Sequence, residues 1–138
     1  MTEFHAGRLV DHVHIRVRDL ESSKRFYRAV LESLGLGLTW EGDGAFAADE
    51  LFVSDDGEPT AGLHLAFQAG GQDDVRRFHE AALAAGGTDN GGPGERDYYH
   101  PGYFSAYALD PDGNNVEAVF HGPAIRSADA IVIVPESG

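Results

Sequence analysis

The sequence predicts an α+β chain in which one pattern, a strand followed by a helix and then several short strands, occurs twice. Three observations carry this. Residues 10–18 alternate, with Val13, Ile15 and Val17 on one face and His12, His14, Arg16 and Arg18 on the other. A stretch with apolar residues at helical spacing comes next, and short strand-like runs separated by Gly- and Asp-rich turns follow it. From residue 62 the same order begins again.

Taken in order, residues 10–18 form a strand with one polar face. Asp19 is placed to cap a helix in which Leu20, Phe26, Tyr27, Val30, Leu31 and Leu34 share a face, and Gly35 ends it. Strands are expected over 36–41, 45–48 and 51–54, punctuated by Gly42-Asp43-Gly44, and Asp55-Asp56-Gly57-Glu58-Pro59 reads as a hinge. The second copy has a strand over 62–69 and a helix over 72–85 stopped by Gly86-Gly87. A Gly-rich loop over 90–94 leads to a strand over 103–109, a turn at Asp110-Pro111-Asp112-Gly113 and a strand over 115–121. Residues 25–31 and 77–83 are locally similar; elsewhere the halves share pattern more than identity. The expected boundaries are one domain over 1–138, with module 1 at about 9–56, module 2 at about 62–122 and a tail over 123–138 whose apolar run 131–134 caps a sheet edge or, as the second choice, meets another subunit.

Composition excludes several classes of function. Ten basic against 23 acidic residues give a formal charge of −13, which repels phosphate backbones and anionic lipid, so neither nucleic acid nor membrane is expected as a partner. With no cysteine, disulfides, thiolate metal sites and Cys nucleophiles are excluded. No basic leader and no apolar run of membrane-spanning length is present, so a cytoplasmic location is expected.

The chemistry centres on Glu117. It follows the tight 110–113 turn and stands among Val116, Ala118, Val119 and Phe120, where an ionised carboxylate is costly unless a cation or hydrogen-bond donor compensates it. His12 and His64 occupy similar strand positions, and with Glu117 they make a two-His-one-carboxylate set suited to a divalent cation with open coordination positions. His14 and Arg16 share the His12 face and are candidate substrate-binding groups, Arg16 for a carboxylate. His79 and His121 read as solvent-facing or structural. The tyrosines 98, 99 and 103 after the Gly-rich loop read either as a lid or as packing, and that loop lacks the lysine and helix of a phosphate cradle.

Asp11-His12-Val13-His14-Ile15 with Asp19-Leu20, then Phe26-Tyr27, Leu31 and Leu34-Gly35, then His64-Leu65-Ala66-Phe67, and finally Asp110-Pro111-Asp112-Gly113-Asn114 leading to Glu117 resemble the vicinal oxygen chelate superfamily of glyoxalase I, extradiol dioxygenases and bleomycin-resistance proteins. The resemblance spans about residues 9–122. It implies two βαβββ modules whose curved mixed sheets enclose a metal-binding cleft. His12, His64 and Glu117 would be its ligands to iron, manganese, zinc or nickel, and a homodimer would complete the clefts. Glyoxalase I has a fourth ligand from the last strand of module 1, where Glu50 is the one long carboxylate and Phe52 competes for the position. The extradiol signature, from a His through a Tyr and an Asp-Pro-x-Gly turn to the ligand Glu, would fall on His100, Tyr107, Asp110 to Gly113 and Glu117, making His100 and Tyr107 catalytic groups. Ala106 and Tyr98 depart from its usual residues. The resemblance therefore implies a metal-dependent lyase, isomerase or dioxygenase acting on a small oxygenated molecule. The competing reading is a metal-free protein that sequesters a cationic drug or metabolite.

Overall fold

In the computed structural model, which describes residues 4–6, 8–125 and 131–134, the two copies of the pattern become two mixed four-stranded sheets. The elements are β1 (Phe4–Ala6), β2 (Val13–Arg16), α1 (Leu20–Ser33), β3 (Trp40–Gly42), β4 (Ala45–Ala48), β5 (Leu51–Ser54), β6 (His64–Gln68), α2 (Gln72–Ala84), β7 (Thr88–Glu95), β8 (Phe104–Leu109), β9 (Asn115–Phe120) and β10 (Ile131–Ile133). The sheet orders are β2-β5-β4-β3 and β6-β9-β8-β7, and in each the strand before the helix lies parallel to the last strand. β1 and β10 form a separate antiparallel ribbon, so the apolar tail strand pairs with an N-terminal strand that its sequence does not announce. The rest of the tail, 126–130 and 135–138, lies outside the described residues.

Both helices end as their glycines predict. After α1 the N–H of Leu36 bonds the carbonyl of Leu31 at 2.9 Å and that of Gly35 the carbonyl of Glu32 at 3.0 Å, with Gly35 at φ 78°. This is a Schellman closure, and the N–H of Gly87 closes α2 on the carbonyl of Ala82 with Gly86 at φ 97°. At the other end of α1, Asp19 accepts from the N–H of Glu21 as expected of an N-cap.

Two expected elements differ. The strand placed over 36–41 begins only at Trp40, because Leu36 is spent on closing the helix. The Gly-rich run 90–94 lies within β7, which pairs with β8 through register shifts at 89/91 and 91/94. Glycine weakens a strand, yet here the edge of β8 offers backbone partners, and a Cβ at Gly91 would stand 2.9 Å from the Tyr107 ring.

Helix α1 packs on α2, and one apolar core joins both modules: Ile15, Val17, Phe26, Tyr27, Val30 and Val53 from the first, Val75, Phe78, Ala106, Ala108, Val116 and Ala118 from the second. The Asp110 turn locks the join. Tyr27 donates its buried hydroxyl to Asp110 Oδ2 at 2.6 Å, while Asp110 Oδ1 accepts from the N–H groups of Asp112 and Asn114 at 2.9 Å each. Burial first, and the neighbouring Asp110 charge second, raise the Tyr27 phenol well above its ordinary value. Asn114, also buried, accepts from the Leu63 N–H and donates to the Thr60 carbonyl. The turn thereby fixes where β6 begins.

Candidate functional site

Strand alternation sends Phe104, Ala106, Ala108, Val116 and Ala118 into the core and leaves Ser105, Tyr107, Asn115, Glu117 and Val119 on the sheet face turned away from α2. Glu117 is only 2 % exposed. Its two oxygens are both engaged: His64 Nε2 lies 2.7 Å from Oε1, and Tyr103 donates its hydroxyl to Oε2. Those two donors are what allow a carboxylate to be buried at this point. Burial, reinforced by the hydrogen bond and charge of Glu117, raises the Tyr103 phenol well above its usual range, so it is a proton donor at neutral pH.

Tyr107 stands directly across from Glu117 in the β8–β9 register. Its hydroxyl, however, accepts from Ser105 Oγ at 3.3 Å, and its ring tilts against His64 at 6.0 Å between centroids. Burial raises this phenol too, against the lowering effect of the Ser105 hydrogen bond and with the Glu117 charge adding to the rise. His100 reaches not Glu117 but His121, with Nε2 3.0 Å from Nδ1 and the rings stacked at 5.3 Å. The Pro101 carbonyl, 2.9 Å from His100 Nδ1, can only accept, so Nδ1 of His100 carries a proton. For a neutral pair, His121 then donates from Nδ1 and keeps its Nε2 lone pair open.

On the corresponding face of the first sheet, His14 Nε2 lies 2.7 Å from Ser54 Oγ, Ser54 donates to Asp56 Oδ1 at 2.7 Å, and Arg16 Nε donates to the same oxygen at 3.1 Å. The Ser54 hydrogen bond first, and Arg16 next, hold Asp56 below the usual carboxylate range. The single hydroxyl proton of Ser54 is given to Asp56, so His14 must be the donor to Ser54, and Ser54 is no activated nucleophile. Trp40 stacks on Phe52 at 6.1 Å, and Phe52 meets the His14 ring edge-on at 4.9 Å.

The expected ligands are therefore only partly gathered in one chain. His64 and Glu117 are together, whereas His12 precedes β2, is exposed and bonds Asp11 at 2.8 Å. Among the described residues no three His, Cys, Asp or Glu side chains converge on one point. As donors for a divalent cation His64 and Glu117 fit well, since two ligand atoms on one such ion stand about 3 Å apart. The register also places Phe52. His14 pairs with Phe52 as Ala66 pairs with Glu117, and His12 and His64 each lie two residues earlier, so Phe52 holds in β5 the place of Glu117 in β9. Glu50 falls outside the strand.

Tyr103, His121, Trp40, Ser54 and Asp56 escape the sequence reading. For the first two a signal existed: 103 shares alternation with 105 and 107, and 121 with 117 and 119. His79, by contrast, is a structural residue that ties α2 to Asp89 of β7 at 2.8 Å.

The sequence matches the glyoxalase/bleomycin resistance protein/dioxygenase superfamily over residues 9–118. The chain belongs to that superfamily. A glyoxalase/bleomycin resistance protein from Albidiferax ferrireducens T118 is 34 % identical, with 80 % of this chain and 98 % of that one covered at a TM-score of 0.72. A glyoxalase-related enzyme from Fulvimarina pelagi is 22 % identical over 83 % of this chain and 88 % of that one, with a TM-score of 0.63. The oxidase ChaP-H2 is 23 % identical over 80 % and 91 %, with a TM-score of 0.55; these last two show the shared superfamily fold. No curated protein matches the chain. Among the described residues no helix is long and apolar enough to cross a membrane.

Proposed function

We propose that this superfamily member is a metal-dependent enzyme acting on a small substrate that presents two adjacent oxygens, at a site completed by a second copy of the chain. The observation that carries the reading is the buried Glu117 carboxylate with His64 on one oxygen and Tyr103 on the other. A divalent cation held by His64, Glu117 and His12 would supply Lewis acidity and open positions for a chelating substrate. Phe52 in the place of a fourth donor favours ring-opening oxygenase chemistry over glyoxalase-type isomerisation, because more positions stay open.

The chain's own groups have separate tasks. Tyr103, donating to Oε2, holds the Glu117 carboxylate in orientation. The open Nε2 of His121, backed by His100, accepts or returns a substrate proton, and Tyr107 offers substrate a phenol that stays protonated. His14, with its Nε2 committed to Ser54, presents Nδ1, and Trp40 and Phe52 make an aromatic wall.

The second copy is needed because the modules of one chain meet through α1, α2 and the Asp110 turn, leaving both polar faces open with β2 and β6 as unpaired sheet edges. In a two-fold dimer, His12 of one copy joins His64 and Glu117 of the other. The test is metal content after purification with manganese or iron and no chelator. Wild type should hold one ion per chain, and H12A, H64A and E117A should lose most of it. Mixing refolded H12A and E117A should restore about a quarter of the wild-type metal, since half the dimers are mixed and each has one intact site. Mixing without recovery refutes the shared site; wild type without metal refutes the enzyme. The latter result favours ligand sequestration on the aromatic lining of Trp40, Phe52 and Tyr107.

A further inference from the structure

We infer that Arg96 makes this site selective for substrates bearing a carboxylate, an inference that rests on the reading above for where the reacting end of the substrate lies. Arg96 follows the Gly-rich part of β7, and those glycines give its side chain room. The guanidinium folds back over the strand, with Nη1 2.7 Å from where a Cβ on Gly94 would stand and Nη2 donating to the Gly92 carbonyl at 2.8 Å. It comes to rest 5.5 Å from the centroid of Tyr107, a ring that also stands against His64. One phenol thus separates the guanidinium from the imidazole beside Glu117.

Among the described residues no carboxylate answers this charge. Arg16, Lys24, Arg28, Arg76 and Arg77 are each paired with an Asp or Glu. Arg8, Arg18 and Arg25 are unpaired but stand in solvent, whereas Arg96 is half-buried. In a chain with 23 acidic residues, a partly desolvated guanidinium without a counter-charge is unexpected. Among the described residues two of its five N–H groups find acceptors, the carbonyls of Gly92 and Glu95, the latter a long contact at 3.4 Å. The remaining N–H groups and the planar fork suit a bidentate carboxylate, and the contacts with the Tyr107 ring and the Gly92 carbonyl hold the guanidinium in place before a ligand arrives. Arg16, the residue that the sequence suggests for this task, is already neutralised by Asp56.

The probes are benzoate, benzyl alcohol, catechol and 3,4-dihydroxybenzoate, titrated into full-length protein with and without manganese and followed by calorimetry or ligand-observed NMR. Wild type should bind benzoate over benzyl alcohol, and 3,4-dihydroxybenzoate over catechol, by about tenfold or more, as a charge-assisted pair implies. In R96M both ratios should fall to about one while the thermal midpoint and the metal content hold, and in R96K they should be intermediate. Equal affinities in wild type, or ratios that survive R96M, overturn the inference. Catechol binding that ignores manganese removes the chelate reading instead, and the benzoate ratio still decides Arg96.

Discussion

Replacing Tyr27 by Phe removes one oxygen from the centre of the molecule and tests how the two modules are joined. Tyr27 is fully buried and Asp110 is 4 % exposed, so water cannot take the place of the lost hydroxyl. Asp110 Oδ1 keeps the N–H groups of Asp112 and Asn114, whereas Oδ2 loses its 2.6 Å donor. A hydrogen bond to a charged group contributes about 1.5–3 kcal/mol, and stranding a buried acceptor puts the cost at the upper end, about 2–3 kcal/mol. For a chain of this size that corresponds to a fall of roughly 10 °C in thermal midpoint. Urea unfolding should show a lower midpoint at unchanged slope, because the surface exposed on unfolding is the same. The double variant Y27F/D110N should be less destabilised than the two single effects added together. A Y27F effect within about 0.5 kcal/mol of zero would refute the claim that this pair locks α1 to the 110–113 turn.

Tyr27 also gives the protein an alkaline limb: its folded pKa is raised, so its contribution is complete below the unfolded value near pH ~10 and is lost above it, by up to about 1.4 kcal/mol per pH unit. Urea midpoints between pH 9 and 11.5 should fall more steeply for wild type than for Y27F. Y103F should weaken manganese binding by about tenfold or more because it frees Glu117 Oε2, whereas Y107F should change it less than about twofold; equal losses in a competition titration would show the roles to be misassigned. Gly42 has the Trp40 indole 2.5 Å from where a Cβ would lie, so G42A should push the indole off Phe52 and shift the emission of the chain's single tryptophan; an unchanged spectrum would refute the stack.

Much of the fold was legible because its signals are local. Alternation placed the core face of β2, glycines placed both helix stops, and β4 and β5 fall at the expected residues. The β1–β10 ribbon was half visible, since pairing with residues over a hundred positions away leaves no local trace in Phe4–Ala6. β7 was hidden for the opposite reason: its glycines signal a loop, and only the edge of β8 and the bulk of Tyr107 make them a strand. At the site, the resemblance made Tyr107 a catalytic group, and the register sets it opposite Glu117. The donor to Glu117 Oε2 is instead Tyr103, while Tyr107 turns toward His64. Arg96 and the His121 pairing depend on side chains folding across strands, which periodicity does not encode.

The register between the two copies explains why one chain holds an unequal pair of faces. At aligned positions module 1 has His12, His14, Arg16 and Phe52, and module 2 has His64, Ala66, Gln68 and Glu117. Each copy thus keeps a histidine at the first of these positions, but only module 2 keeps an acid to hold a cation against it. In module 1 the nearby acid is Asp56, beyond the end of β5, where Ser54 and Arg16 engage it, and Phe52 with Trp40 makes the face aromatic. Two module 1 faces brought together would offer imidazoles and no carboxylate; two module 2 faces would bring two buried carboxylates together, each raising the cost of ionising the other. Only the unlike pairing would give two histidines to one Glu117, and since the two modules of one chain meet through α1 and α2, the shared site proposed above takes its missing half from a partner chain.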